Sequence, residues 1–188
     1  YRRAHAGSLQ KPAGRLVDQQ EGGHYRLLRG ERPALFDYVV GPHSWKRYLY
    51  PPRQRLWQAH KQGKGWRVKE PLDNTAPYAF IGVRSCEIHA MRIQDRVFDN
   101  GAFADPAYIK RRQQAFIVAV NCAHPAATCF CTSMNSGPRA KEGFDLCMTE
   151  LLDEQRHEFL VEAGSDKGAA LLTRLPHRPC DENDLRQA

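Results

Sequence analysis

Two uncharged segments of strand length, Tyr78–Val83 and Ala115–Val120, constrain the fold more than any other feature of the sequence. Because no position in either is charged, both are predicted to be strands buried on their two faces. Between them, Ser85 is placed to cap one helix, and Asp105-Pro106 has the N-cap and first-turn pattern of another. A strand, helices and a second strand form a βαβ unit, whose strands are parallel and whose crossover is right-handed. The sequence therefore predicts an α/β fold with a small mixed sheet around a central parallel βαβ unit.

The flanking segments contain weaker signals for further elements. Aromatic and β-branched residues predict a strand over Leu35–Val40, which ends at Gly41-Pro42. A helix is predicted over Arg53–His60, before the glycines that follow. Alternating apolar positions predict a strand over Phe144–Glu150, with Phe159–Glu162 as its partner.

Six cysteines are the residues most informative about function: Cys86, Cys122, Cys129, Cys131, Cys147 and Cys180. Cys86 and Cys122 come just after the two uncharged strands, so both are expected at the carboxyl edge of the sheet, where open α/β sheets bind ligands. The turn-rich loop over residues 122–138 can fold Cys129 and Cys131 over the same edge. Four thiolates are therefore predicted to converge at the C-terminal edge of the strands.

Several soft sulfur donors in one place are typical of an iron–sulfur cluster or of zinc. The spacing Cys-x35-Cys-x6-Cys-x-Cys matches neither the bacterial ferredoxin run nor a zinc ribbon, so a structural zinc module stays open. A thiol or persulfide-handling protein that uses Cys129 and Cys131 is a third class. Cys147 is expected to be a buried core thiol, with Cys147 and His124 held as reserve ligands.

Composition excludes several other classes of protein. The chain has 188 residues, 41% hydrophobic and 26% charged, as expected for one ordinary globular core that needs no disulfides. No apolar run approaches the ~20 residues of a membrane span, and no secretion signal is visible, so a cytoplasmic location is expected. The net charge of +7 is scattered without a nucleic-acid-binding motif. No nucleophile elbow, phosphate-binding glycine motif or zinc-protease histidine pair points to hydrolysis.

Several short motifs together resemble a known redox family. They are Gly82-Val83-Arg84-Ser85-Cys86-Glu87-Ile88-His89-Ala90, Val120-Asn121-Cys122, Cys129-Phe130-Cys131-Thr132-Ser133-Met134, Gly143-Phe144-Asp145-Leu146 and Val161-Glu162-Ala163-Gly164-Ser165-Asp166-Lys167-Gly168. The sequence resembles the N-terminal domain of the iron–sulfur subunits typified by those of anaerobic sulfite reductase and by the sulfhydrogenase beta subunit.

The resemblance implies an electron-transfer part of a multisubunit oxidoreductase, without catalytic residues of its own. Family cysteines in the matching motifs correspond to Cys86, Cys122, Cys129 and Cys131, which would bind one iron–sulfur cluster, most simply 4Fe-4S, with 2Fe-2S or zinc as alternatives. The implied partners are a ferredoxin-like domain with two clusters and a flavin- and NAD(P)-binding or catalytic subunit.

The predicted organisation is a polar N-terminal arm over 1–34, one α/β iron–sulfur domain over 35–175 and a C-terminal tail over 176–188. The tail would lead to a ferredoxin-like domain that this sequence lacks, so we expect a fragment or a truncated member. Near the cysteines, Arg84, His89 and His124 are expected to be solvated or salt-bridged at the surface, with hydrogen bonding to cluster sulfur as the alternative.

Overall fold

The fold is organised around one six-stranded mixed sheet with two additional hairpins. A computed structural model describes residues 2–4, 16–39, 41, 43–69, 76–154 and 156–188. Within these residues the strands are β1 (Arg2–Ala4), β2 (Leu16–Glu21), β3 (His24–Arg29), β4 (Gln58–Gln62), β5 (Gly65–Lys69), β6 (Ala79–Val83), β7 (Phe116–Val120), β8 (Leu146–Leu152), β9 (His157–Ala163) and β10 (His177–Pro179). The α-helices are α1 (Lys46–Leu49), α2 (Ser85–Phe98), α3 (Pro106–Gln114), α4 (Asp166–Leu172) and α5 (Glu182–Gln187).

The main sheet has the order β10-β1-β9-β8-β7-β6. Strands β6, β7 and β8 are parallel, whereas β8, β9, β1 and β10 pair antiparallel. The predicted α/β class, the parallel β6-α2-α3-β7 unit and the pairing of the Cys147 strand with the segment after it are all confirmed. The two hairpins, β2-β3 and β4-β5, form separate two-stranded sheets.

Helix starts inside the βαβ unit follow from local chemistry. The Asp105 carboxylate accepts hydrogen bonds from the backbone N–H groups of Ala107 and Tyr108, both at 2.9 Å, and so caps α3 as predicted. The prediction of Ser85 as the cap of α2 is wrong, because Ser85 is already helical and Arg84 occupies the cap position. There the Glu87 carboxylate accepts the backbone N–H of Arg84 at 2.9 Å, which is the reverse hydrogen bond of a capping box.

Strand β7 is buried on both faces, as predicted, but the same prediction is wrong for β6, which lies at the edge of the sheet. In β6, Phe80 and Val83 are buried whereas Ile81 on the other face is 61% exposed. One cluster joins β6 and β7 to α1, α2 and α3, and a second joins β7, β8 and β9 to α4. Successive residues of β7 alternate between them: Ile117 and Ala119 belong to the first cluster and Val118 to the second. This packing fixes where β6 and β7 end, and therefore where the residues after them begin.

Two sequence-based predictions of secondary structure are wrong. Residues 35–39 form no strand; Val40 and Pro42 lie outside the described residues. The backbone groups of Leu35, Phe36 and Tyr38 bond to the side chains of Glu150 and Arg84 instead of to a neighbouring strand. The helix predicted over 53–60 does not form: residues 53–57 have no regular secondary structure and 58–60 belong to β4, from which Gly63, with φ of +59°, lets the chain turn directly into β5.

The C-terminal segment is tied to the rest of the fold. Strand β10 pairs with β1 in the main sheet, and α5 buries Asp184. The Asp184 carboxylate contacts Arg156 at 3.0 Å and Arg178 at 3.1 Å. Although burial raises the pKa of Asp184, the backbone N–H of Asp181 and these guanidinium groups lower it overall. The division at residues 34 and 175 stays a prediction. Throughout the described part of the chain, no helix is both long and apolar enough to span a bilayer.

Candidate functional site

Cys86 and Cys122 lie where the sheet was expected to place them. Cys86 is the second residue of α2, three positions after β6 ends at Val83. Cys122 is two positions after β7 ends at Val120. Because β6 and β7 are parallel neighbours, both cysteines lie at one edge of the sheet.

The loop over 122–138 returns to its own starting point. The Cys122 N–H donates to the carbonyl oxygen of Pro138 at 3.3 Å, which closes the loop. Inside it, the Ala126 N–H donates to the Cys129 sulfur at 3.3 Å, and the Cys129 N–H donates back to the Ala126 carbonyl at 3.0 Å. Such N–H···S bonds stabilise a sulfur that carries negative charge.

Gly137 brings the far end of this loop against Cys131 and the start of α2. A Cβ at this position would lie 3.2 Å from the Cys131 sulfur and 3.6 Å from the Ser85 Cβ. The Ser85 hydroxyl donates to the carbonyl of Arg139 at 3.1 Å, so α2 and the loop are bonded to each other here. A larger residue than glycine at 137 would push Cys131 away from the helix.

The four predicted ligands are close enough to affect one another electrostatically. Partial burial raises the pKa of the Cys86 thiol to about 11, and the negative charges of Glu87, Cys122, Cys131 and Cys129 add to this increase. Burial also raises the pKa of Cys122, against the opposing effects of the Arg84 charge and a hydrogen bond from Arg84. The Cys86 thiol therefore lies within electrostatic range of Cys122, Cys129 and Cys131.

The thiols differ in exposure. Cys86 and Cys129 are exposed, and Cys122 and Cys131 are partly buried. Within the described residues, no three or more His, Cys, Asp or Glu side chains are arranged as ligands of a single metal ion. The assignment of these four cysteines as ligands stays a prediction.

Cys147 and His124, held in reserve, have other surroundings. Cys147 is 2% exposed, as expected for a core thiol, and its sulfur lies 3.4 Å from the Asn121 Oδ1. Burial, followed by the Glu162 charge, raises its pKa to about 12. The two ring nitrogens of His124 lie 2.8 Å from the Asp37 carboxylate and 3.1 Å from the Arg32 guanidinium.

Asn121 holds the start and the end of the cysteine loop together, a role that sequence reasoning missed. Its side chain donates to the Thr149 hydroxyl at 2.8 Å and accepts the Ala140 N–H at 2.8 Å. Its backbone N–H also donates to the Met148 carbonyl at 2.9 Å. Its place directly before Cys122 was the available signal.

Arg84 is also misjudged by the sequence, since it is buried, at 3% exposure, instead of solvated. Its guanidinium donates to the carbonyls of Phe36 at 2.8 Å and Tyr38 at 2.5 Å, and to that of Asn121 at 3.3 Å. We call residues 35–39 the strap. Arg84 therefore links the strap to the cysteine loop.

Glu150 holds the other side of the strap. Its carboxylate accepts the backbone N–H groups of Leu35 at 2.6 Å and Phe36 at 3.0 Å, and contacts His157 at 2.6 Å. Gly82, with φ of +89°, forms an irregularity in β6, and the Phe36 ring lies against it: an added Cβ would be 3.3 Å from the ring.

Comparison with known proteins gives one informative match. The chain is 36% identical over 123 residues to sulfhydrogenase 2 subunit beta of Pyrococcus furiosus, which supports the predicted relation to that family. The aligned region covers 65% of this chain and 33% of the relative, so the chain spans about a third of that protein's length. No family model and no solved structure matches the chain.

Proposed function

We propose that this chain is an electron-transfer module of an oxidoreductase complex, and that it holds one iron–sulfur cluster, most simply 4Fe-4S, on four cysteine thiolates. The ligands are Cys86, Cys122, Cys129 and Cys131. The observation that supports this most is geometric: Cys86 and Cys122 follow two parallel neighbouring strands at one edge of the sheet, and the loop that contains the other two cysteines is bonded back to Cys122 and to the start of α2. Cluster iron, when bound, supplies one-electron chemistry, and the chain itself needs no general acid or base for such a relay.

The residues around the thiols fit such a group. All four donors are sulfur, the ligand type that iron–sulfur clusters take. The Ala126 N–H already points at the Cys129 sulfur, and Gly137 leaves room beside the Cys131 sulfur that a Cβ would narrow. Cys86 lies in the first turn of α2, where the positive end of the helix dipole stabilises negative charge.

The exposure of the cysteine loop supports an electron relay and not a closed catalytic pocket. Cys129 is exposed, and Phe130 beside it is 68% exposed, so this part of the loop is accessible to another protein. An electron passing between proteins needs its carrier near the surface, whereas substrate chemistry usually needs a cavity that excludes water.

Similarity to a sulfhydrogenase beta subunit supports the role in a larger complex. Since the chain spans a third of that relative, its partners are part of the proposal: a ferredoxin-like domain with two clusters, and a flavin- and NAD(P)-binding or catalytic subunit. The chain would pass electrons between them.

The proposal is tested by the iron, acid-labile sulfide and zinc content of anaerobically purified protein, together with its visible spectrum. We expect about four iron and four sulfide per chain, as a cubane requires. Cys129→Ser should lower both and bleach the spectrum, whereas Cys180→Ser, a thiol outside the group, should leave them unchanged. Stoichiometric colourless zinc would establish the structural zinc module instead, and metal-free protein with alkylatable thiols would favour thiol chemistry. Either result would refute the relay.

A further inference from the structure

Arg84 presents a charge that the fold alone does not explain. Its guanidinium is buried, and it donates to three backbone carbonyls as well as to the Cys122 thiol. The nearby Glu87 carboxylate accepts the backbone N–H of Arg84 at 2.9 Å and also interacts with the guanidinium charge, but burial raises the pKa of Glu87 overall and so disfavours its negative form. A buried cation surrounded by neutral acceptors is costly unless an anion lies close by.

The position of Arg84 indicates a second source of negative charge beside it, the cysteine site. Arg84 lies two residues before Cys86, and its Nη1 donates to the carbonyl of Asn121, the residue that precedes Cys122. The guanidinium thus lies between the segments that carry two of the four thiols. The lowering effect of Arg84 on the pKa of Cys122 agrees with this placement.

The surroundings of Arg84 keep its charge fixed and dry. The rings of Phe36 and Tyr38 both lie 5.9 Å from its guanidinium carbon, and their carbonyls hold the Nη2 atom. The strap is itself held by Glu150 from the other side. A charge in a low-dielectric site acts more strongly on its neighbours than a solvated one.

We propose that Arg84 is a positioning residue that sets the reduction potential of the cysteine site, by placing one buried positive charge beside it. This inference rests on the proposed function. Reduction adds one negative charge to the cluster, and a fixed cation nearby favours the reduced form. Arg84 therefore raises the potential, so that the site accepts electrons more readily.

The test is a redox titration of the cluster-loaded protein, followed by its visible and electron paramagnetic resonance spectra. In Arg84→Gln we expect the reduction equilibrium to shift at least tenfold toward the oxidised form, which lowers a one-electron potential by about 59 mV. Arg84→Lys keeps the charge and should change the equilibrium less than threefold. Arg92→Gln removes the same charge from an exposed position on α2 and should match the wild type.

Glu150→Gln separates the effect of the Arg84 charge from the effect of the strap's structure. It loosens the strap without removing the cation, so we expect no downward shift in potential. If Glu150→Gln lowers the potential as far as Arg84→Gln, or if Arg84→Gln leaves it unchanged, the inference is wrong.

Loss of the cluster from Arg84→Gln would leave Arg84→Lys as the decisive variant. Retention of the cluster at the wild-type potential would support a role for the charge. A tenfold shift, or loss of the cluster from a folded Arg84→Lys protein, would overturn it. A wild-type protein without iron and sulfide would instead refute the proposed function itself.

Discussion

The two halves of the cysteine site are held in place by different forces. Cys86 and Cys122 follow strands whose last residues, Val83 and Val120, are completely buried. Cys129 and Cys131 lie in a loop with hydrogen bonds between near neighbours and one from Thr128 to the distant Gln20. The apolar side chains beside these two cysteines, Phe130 and Met134, are 68% and 51% exposed. We call the two strands together with Cys86 and Cys122 the framework half, and the loop that contains Cys129 and Cys131 the loop half.

This difference separates stability from access. The framework half depends on the hydrophobic core, whose burial supplies most of the free energy of folding. The loop half contributes little buried surface and leaves Cys129 in contact with solvent. Loops on a rigid scaffold commonly carry function in this way. The loop half is therefore the part that can change to suit a partner without loss of the fold.

The largest expected effect comes from weakening the framework. Ile117 of β7 is 2% exposed and packs in the cluster that joins β6 and β7 to α2 and α3. Ile117→Ala should lower the free energy of unfolding by about 2–5 kcal/mol, because it removes buried methyl groups and leaves a cavity. Urea denaturation of the iron-free protein measures this change.

Phe130→Ala is the matched change in the loop half. Since its ring is largely exposed, we expect the free energy of unfolding to change by no more than about 0.5 kcal/mol. Equal losses from Phe130→Ala and Ile117→Ala would show that the loop belongs to the core, and the distinction between the halves would fail.

The framework half was predictable because its signals are local and strong. Uncharged strands, the Asp105-Pro106 helix start and short connections define a βαβ unit, and the topology then places Cys86 and Cys122 at one edge. For the loop half, the sequence predicted only that the chain folds back over the same edge of the sheet. Turn residues and glycines indicate such a return, but they do not specify which hydrogen bonds hold the loop.

The strap was not predictable, since its conformation depends on side chains distant in sequence. Leu35 and Phe36 have strand propensity, but the carboxylate of Glu150, over a hundred residues away, satisfies their N–H groups. Arg84 was misjudged for the same reason: its carbonyl acceptors in the strap exist only once the strap has folded over it. Tertiary contacts override local propensity at such positions.

A smaller effect concerns the reactivity of Cys86. Its pKa is raised from 9.0 to about 11, chiefly by burial, so less thiolate is present at pH 8 than in the unfolded chain. The thiolate fraction falls about 100-fold, and the higher nucleophilicity of a more basic thiolate restores about tenfold. In iron-free protein, Cys86 should therefore react with iodoacetamide about tenfold more slowly folded than in urea.

The pH dependence of the alkylation rate shows whether the pKa of Cys86 is raised or lowered by folding. The folded rate should keep increasing as pH rises from 8 to 10, after the unfolded rate has begun to level off near its lower pKa. Peptide mapping by mass spectrometry follows Cys86 and the other thiols together, and circular dichroism confirms that the protein stays folded. A folded rate equal to or above the unfolded rate at pH 8 would show that folding, chiefly through burial, does not raise the pKa of the Cys86 thiol.

The smallest expected effect lies at the contact between the strap and His124, near the start of the cysteine loop. The Asp37 carboxylate, 9% exposed, lies 2.8 Å from the His124 ring and 3.6 Å from the Arg32 guanidinium. Asp37→Asn should lower the free energy of unfolding by about 0.5–1 kcal/mol, since it removes a partly buried charge from two cationic or hydrogen-bonding partners. Glu142→Gln is the control: the Glu142 side chain is 65% exposed and pairs with Arg92, so this change should lower the free energy of unfolding less. Hydrogen exchange should accelerate at residues 122–126 in Asp37→Asn alone, because this contact fastens the first turn of the loop to the strap. Unchanged exchange there would mean that Asn121 alone positions the start of the loop.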